Sequence, residues 1–156
     1  EILFRLKRFA RAEAEYTAYL AAAESVQPDD YLRRAEAIAS QGDTHLARAV
    51  NSLDEGIRRL GAAESLEERA LELSRRSGNT QDTLRRLDDL MARVRYKEHW
   101  LALRGDILVD ERRFAEAQAA YETCLEAISQ RRRQTAALDA LRRDVSAKLK
   151  RVPKRE

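Results

Sequence analysis

Three five-residue stretches decide how this chain is built: Tyr31-Leu32-Arg33-Arg34-Ala35, Leu66-Glu67-Glu68-Arg69-Ala70 and Leu101-Ala102-Leu103-Arg104-Gly105. Each sets an apolar residue, two variable residues, an Arg and then a small residue, and each follows the last by 35 positions. Outward from them the period persists, because Leu3, Ile38, Leu73 and Leu108 are equivalent positions with the same spacing of 35. A period of this length marks a stack of helix pairs, each too small to bury its apolar face alone.

Length and composition agree with that reading. The 156 residues accommodate four such repeats with a closing helix. Charged residues make up 37% and aromatics 6%, while only 5 Gly and 2 Pro are present, which suits long helices with few turns. An all-α protein is expected. The net charge of +3 is unevenly placed. From Arg131 to Glu156 ten Lys or Arg face three Asp or Glu, a net +7, so the preceding 130 residues carry −4. An acidic stack ending in a basic segment biases the choice of partner.

Other features narrow the class. The single cysteine, Cys124, excludes an intrachain disulfide and fits a small buried apolar position. No apolar run reaches the roughly 18 residues of a membrane span, and no leader is visible. The chain opens on Glu1 and enters the repeat partway through a helix, so a further upstream segment is expected. Cytoplasm and periplasm therefore both stay open.

The apolar spacing predicts nine helices, over 1–6, 8–25, 30–41, 44–60, 65–77, 80–94, 96–110, 113–130 and 134–151. Leu46, Val50, Leu53, Ile57 and Leu60 fall on one helical face. Gly42-Asp43, Gly61 and Ser77-Gly78-Asn79 supply turns, Pro28-Asp29-Asp30 ends one helix and can cap the next, and Ser65 with Glu68 reads as a capping box. In the last helix Ala137, Leu138, Leu141, Val145, Leu149 and Val152 form an apolar stripe with Arg142, Arg143, Lys148 and Lys150 away from it. That stripe can cover the edge a final repeat leaves open. The basic face, with Arg131-Arg132-Arg133, also offers a docking surface for phosphate or anionic lipid, and the two roles are compatible.

The second helix of the unit has its own pattern. Phe9-Ala10-Arg11-Ala12 with Tyr16 and Tyr19 returns as Phe114-Ala115-Glu116-Ala117 with Tyr121 and Cys124. Here the chain resembles the tetratricopeptide repeat family, of a bacterial kind by its Ala- and Arg-rich composition, over essentially residues 1–130. Bulky, small and bulky positions of the first helix match Tyr31, Ala35 and Ile38, then Leu66, Ala70 and Leu73, then Leu101, Gly105 and Leu108. Small positions of the second helix match Ala12, Ala47 and Ala117. Asn51 and Asp54 depart from the pattern, which implies a locally rotated helix, and Thr83 replaces an Ala. The resemblance implies a right-handed α-solenoid of helix-turn-helix repeats: four repeats over 1–130, the first truncated at its N-terminus, then a basic capping helix and tail over 131–156.

It also implies a concave face lined by first helices, where members of the family hold an extended peptide or a partner helix. Carried onto this sequence, that face comprises Asp29, Leu32, Glu36, Ala39 and Ser40, then Glu64, Glu67, Leu71 and Arg75. It continues through His99, Ala102, Asp106, Val109 and Asp110. Several members clamp a C-terminal carboxylate with Lys and Asn, but Glu36 and Asp106 stand where an amide is wanted. Such a ligand should be repelled and a basic segment preferred, unless these acids only keep the face solvated.

Nothing in the chain assembles a catalytic site. His45 and His99 have no i,i+4 partner that would make a metal site, the glycines form no phosphate cradle, and no nucleophile has a motif. No enzyme activity, cofactor or metal is expected. Arg34, Arg69 and Arg104 recur where the family usually has an apolar residue, and are expected to pair internally with carboxylates such as Asp54 or Asp88 rather than bind an anion. The leading expectation is a non-enzymatic scaffold holding a protein or peptide, preferably basic, on its acidic face. The second is a self-associating subunit that docks its basic tail on another copy. The third is nonspecific attachment to nucleic acid or anionic lipid, since no motif for specific reading is present.

Overall fold

Turn residues sit where the period needs them, and the helices between them run almost without interruption. The computed structural model describes residues 2–61 and 63–153, the side chains of residues 2–6 excepted. Leu3 and the last three residues of the basic segment thus lie outside the described side chains. Eight α-helices are present among the described residues: α1 (Ile2–Ala22), α2 (Pro28–Ala39), α3 (Leu46–Leu60), α4 (Glu64–Arg76), α5 (Thr80–Arg93), α6 (Glu98–Asp110), α7 (Phe114–Ser129) and α8 (Ala136–Arg151). A 3-10 turn at Asp43–His45 precedes α3, and no strand occurs among these residues.

The expected break near residue 7 does not exist. Lys7 and its neighbours are straight-chain helix formers with no Gly or Pro, so α1 continues through them. Two other expectations change in detail. Pro28 opens α2 at its first position, and the backbone N–H of Gln27 donates to the Asp30 carboxylate at 2.8 Å, so the box forms around Gln27 and Asp30. The box expected at Ser65 and Glu68 is absent, because α4 begins one residue earlier with Ala63 as its cap and no side-chain cap hydrogen bond. Gly61 and Gly78 take φ values of 81° and 76°, which a Cβ would strain.

The chain divides into two compact units between Arg86 and Leu87, within α5. In the first, α2 packs on α1, α3 and α4, and α3 packs on α4. Their apolar stripes meet in one cluster formed by Leu20, Val26, Tyr31, Ala35, Ile38, Leu46, Ala49, Val50, Leu53, Leu66, Ala70 and Leu73 with Ala39. The predicted α3 stripe is there, with Leu46, Val50 and Leu53 buried and Ile57 and Leu60 half-buried against it. Ala47, expected at a packing position, is exposed. The small residue that matters on α3 is Gly56, whose place beside the Tyr31 ring leaves no room for a Cβ, which would lie 2.6 Å from Tyr31 Cγ.

In the second unit α7 packs on α6 and on α8. Ala102, Tyr121, Cys124, Ile128, Val145 and Val152 form its buried cluster, flanked by Leu101, Phe114, Leu138, Leu141 and Leu149. The apolar stripe expected on α8 is thus used for packing, Ala137 alone being exposed. Thr135 caps that helix by accepting from the Leu138 N–H at 3.3 Å. No helix among the described residues is long and apolar enough to cross a membrane.

Candidate functional site

Charged side chains join helices that lie two apart in the chain. In the first unit Arg48 on α3 reaches Glu13 on α1 at 3.0 Å, across 35 positions. Arg69 on α4 pairs with Glu36 on α2, across 33, and Arg86 on α5 grips Asp54 on α3 with two bonds of 2.7 Å, across 32. In the second unit Lys148 on α8 meets Asp106 on α6 at 2.9 Å. In all four cases the carboxylate is on the earlier helix and the cation on the helix after next.

Three of the six acids read from the sequence as a partner-binding face, Asp29, Glu36 and Asp106, meet cations of this chain. Asp29 pairs with Arg33 at 2.6 Å, one turn on. Glu36 is held by Arg69, which also pairs with Glu72 at 2.5 Å. Asp106 accepts from the Tyr121 hydroxyl at 2.7 Å as well as from Lys148. Burial, with the Asp106 carboxylate, raises the Tyr121 phenol far above its ordinary range. Glu64 and Asp110 are exposed and make no ion pair among the described residues, Glu67 is half-buried, and Arg75 is exposed. Leu32 is half-buried against the first cluster. Leu71 and Ala102, expected to offer apolar contact, are each 4% exposed. They serve the interior, because their positions face helix neighbours rather than solvent.

The three recurrent arginines all find carboxylates. Arg34, 6% exposed, donates to Ser52 Oγ at 2.7 Å and to Glu55 at 2.5 Å, and its guanidinium lies 5.3 Å from the Tyr31 ring centroid. Arg69 has Glu36 and Glu72, and Arg104 has Asp88. Asp54 serves Arg86 instead. That guanidinium also donates to Asp82 at 2.6 Å, and Asp82 accepts from Ser74 Oγ at 2.7 Å and from Arg85. Burial alone would raise the Asp82 carboxyl, but hydrogen bonds from Arg86, Ser74 and Arg85 outweigh it and hold the group down at about 2. Asp54, one of the polar departures from the repeat pattern, thus ties α3 to the start of α5, with Ser74 of α4 joined through Asp82. Thr83, 1% exposed, is satisfied by donating to the Asn79 carbonyl at 2.8 Å.

A surface feature that the sequence did not single out lies in the second unit. Tyr96, Glu98, His99 and Arg131, with Ala137, Leu138, Ala140, Leu141 and Asp144 of α8, line an open groove of about 560 Å³. Of the residues read from the sequence as the partner-binding face, only His99 belongs to it, its ring packed edge-on to Trp100 at 5.1 Å. Tyr96 is 53% exposed, and the Arg131 guanidinium lies 3.5 Å from its ring centroid. The Arg131 Nε is 3.4 Å from the carboxylate of buried Glu98. Adjacent aromatics at the start of α6 were the available signal. Their meeting with a residue 35 positions later, across a loop, was not legible.

Chemically reactive groups are sparse. Cys124 is fully buried and donates to the Glu98 carbonyl at 3.0 Å, and burial, with the Glu98 carboxylate nearby, pushes its thiol up to about 11. Among the described residues no three of His, Cys, Asp or Glu come together as a metal-binding group. Comparison with protein-family models, with curated proteins and with solved structures finds no match.

Proposed function

We propose that this chain is a non-enzymatic scaffold of helical hairpins, of the tetratricopeptide type, that binds a segment of another protein. One observation carries the reading: in the first unit, ion pairs join helices across 32, 33 and 35 positions, close to the spacing of 35 seen in the apolar pattern. Apolar packing and charge pairing agree on one repeating neighbour relation, as a stack of hairpins requires. A helix α2 that touches both its own partner α3 and the next first helix α4 supports the same relation.

The expected preference for a basic partner is modest, because Asp29, Glu36 and Asp106 already have cations of their own. Glu64 and Asp110 remain its best carriers. Binding of the intact protein to basic, neutral and acidic peptide libraries tests both parts. Capture of peptides with a mild excess of basic members is expected. Equal or stronger capture of acidic peptides overturns the charge preference, and absence of capture from all three overturns the scaffold reading.

Self-association is kept as a second reading on one specific observation. Arg132, Arg133, Arg143, Lys150 and Arg151 are exposed and make no ion pair among the described residues, leaving the basic segment available to an acidic surface of another copy.

A further inference from the structure

We infer that the groove between the start of α6 and α8 takes a neutral, apolar stretch of peptide, with a large side chain against Leu138 and Leu141 and a main-chain carbonyl on Arg131. This rests on the protein-binding reading above and names the chemistry of one of its contacts.

Three observations converge on that occupant. First, the groove of about 560 Å³ falls within the roughly 300–1,000 Å³ usual for ligand clefts, and four of its lining residues are Ala or Leu of α8. Second, Arg131 Nη1 is buried and makes no hydrogen bond among the described residues, although Nε faces Glu98 and the guanidinium face is stacked on Tyr96. A buried guanidinium N–H without an acceptor is costly, so a ligand that brings an oxygen acceptor gains where one without it does not. Third, the charges of the groove are already balanced. Arg131 is answered by Glu98, and Asp144 by Lys148 at 2.9 Å.

That balance selects the acceptor. A carboxylate would share Arg131 with Glu98 and face Asp144, and a cation would face Arg131 across an apolar wall. A carbonyl oxygen completes Arg131 without adding charge. A carbonyl next to a bulky apolar group is what a peptide backbone presents, and the exposed Tyr96 ring offers a flat surface beside it.

The test is an NMR titration of the intact protein with three capped dipeptides: N-acetyl-Leu-Phe-amide, N-acetyl-Lys-Phe-amide and N-acetyl-Glu-Phe-amide. The neutral probe is expected to shift the amides of Tyr96, His99, Arg131, Leu138 and Leu141, and to bind about fivefold or more tightly than either charged probe. Ala140→Arg, at an exposed position of α8, is expected to weaken it about tenfold or more while the thermal midpoint stays in place. Ala137→Glu provides a second block at another exposed position should the first disturb the helix. Arg131→Lys keeps the charge opposite Glu98 but removes the fork, and is expected to weaken binding with the shifted residues unchanged. Equal binding of a charged probe, or undiminished binding to the blocked variants, overturns the assignment. Shifts confined to α2 and α4 also overturn it while leaving the scaffold reading intact. No binding by these probes or by the peptide libraries removes both.

Discussion

Gly105 has no room to grow. A Cβ there would sit 2.3 Å from a ring carbon of Tyr121, and Gly56 stands in the same relation to Tyr31. In each unit a glycine on one helix receives a tyrosine ring from the helix adjacent to it in the chain, so two helices approach closely around a large side chain. Gly105→Ala gains about 0.8–1 kcal/mol of helix propensity but incurs overpacking of about 1–3 kcal/mol, and is expected to destabilise by about 1 kcal/mol in urea unfolding. With Tyr121→Leu as background the clash is gone, and the same change is expected to stabilise. An unchanged sign in the double variant would refute the packing explanation. Arg112 provides the converse case. Its φ of 58° is the one positive value among the described non-glycine residues, in a turn where the equivalent connections use Gly42 and Gly78. Relief of a left-handed conformation, worth roughly 1–2 kcal/mol, exceeds the backbone entropy that glycine loses, roughly 0.5–1 kcal/mol. Arg112→Gly is therefore expected to stabilise by about 0.5 kcal/mol, read as a higher urea midpoint.

At the scale of elements, helices two apart are joined by charge as well as by apolar contact. The Asp54–Arg86–Asp82 network links α3 to α5, with Ser74 of α4 attached. Asp82 is held at about 2 against an ordinary 3.8. Because its folded value lies below the unfolded one, its contribution is present above about pH 4 and disappears as the pH falls toward 2. Unfolding free energies measured at pH 5, 4, 3 and 2 are expected to fall less steeply over that window for Asp82→Asn than for the unchanged protein. Parallel slopes would show that the network does not act through this carboxylate. The network also shows what was legible in this region. Asp54 and Thr83 stand out in the sequence as departures from the repeat, but a departure carries no direction, and only the packed helices show that Arg86 reaches Asp54 and that Thr83 satisfies its own helix.

For the whole molecule, the net +3 conceals +7 in residues 131–156 and −4 before them. Part of this basic segment is absorbed locally, since Arg131 meets Glu98 and Lys148 meets Asp106 and Asp144. Arg132, Arg133, Arg143, Lys150 and Arg151 are exposed, and charge of that kind acts over about 10 Å at 0.1 M salt and about 3 Å at 1 M. If copies associate through it, sedimentation at about 0.02 M salt is expected to depend on protein concentration, and at about 0.5 M to revert to a monomer. A monomer at every concentration in low salt removes the self-association reading.

The period of 35 and the scarcity of Gly and Pro were enough to establish an all-helical chain, the position of most turns and the stripes that become buried, because helix formation and burial depend on spacing along one chain. The helix break expected at residue 7 and the cap expected at Ser65 failed where a local signal was weak and the neighbouring helix formers decided. Whether a carboxylate is free to meet a partner was not written in the sequence. Glu36 and Asp106 look like an acidic lining until Arg69 and Lys148 arrive from later helices, and the groove at Tyr96 and Arg131 exists only once α8 lies beside the start of α6. Charge and cavity are relations between residues distant in sequence, so packing alone decided them.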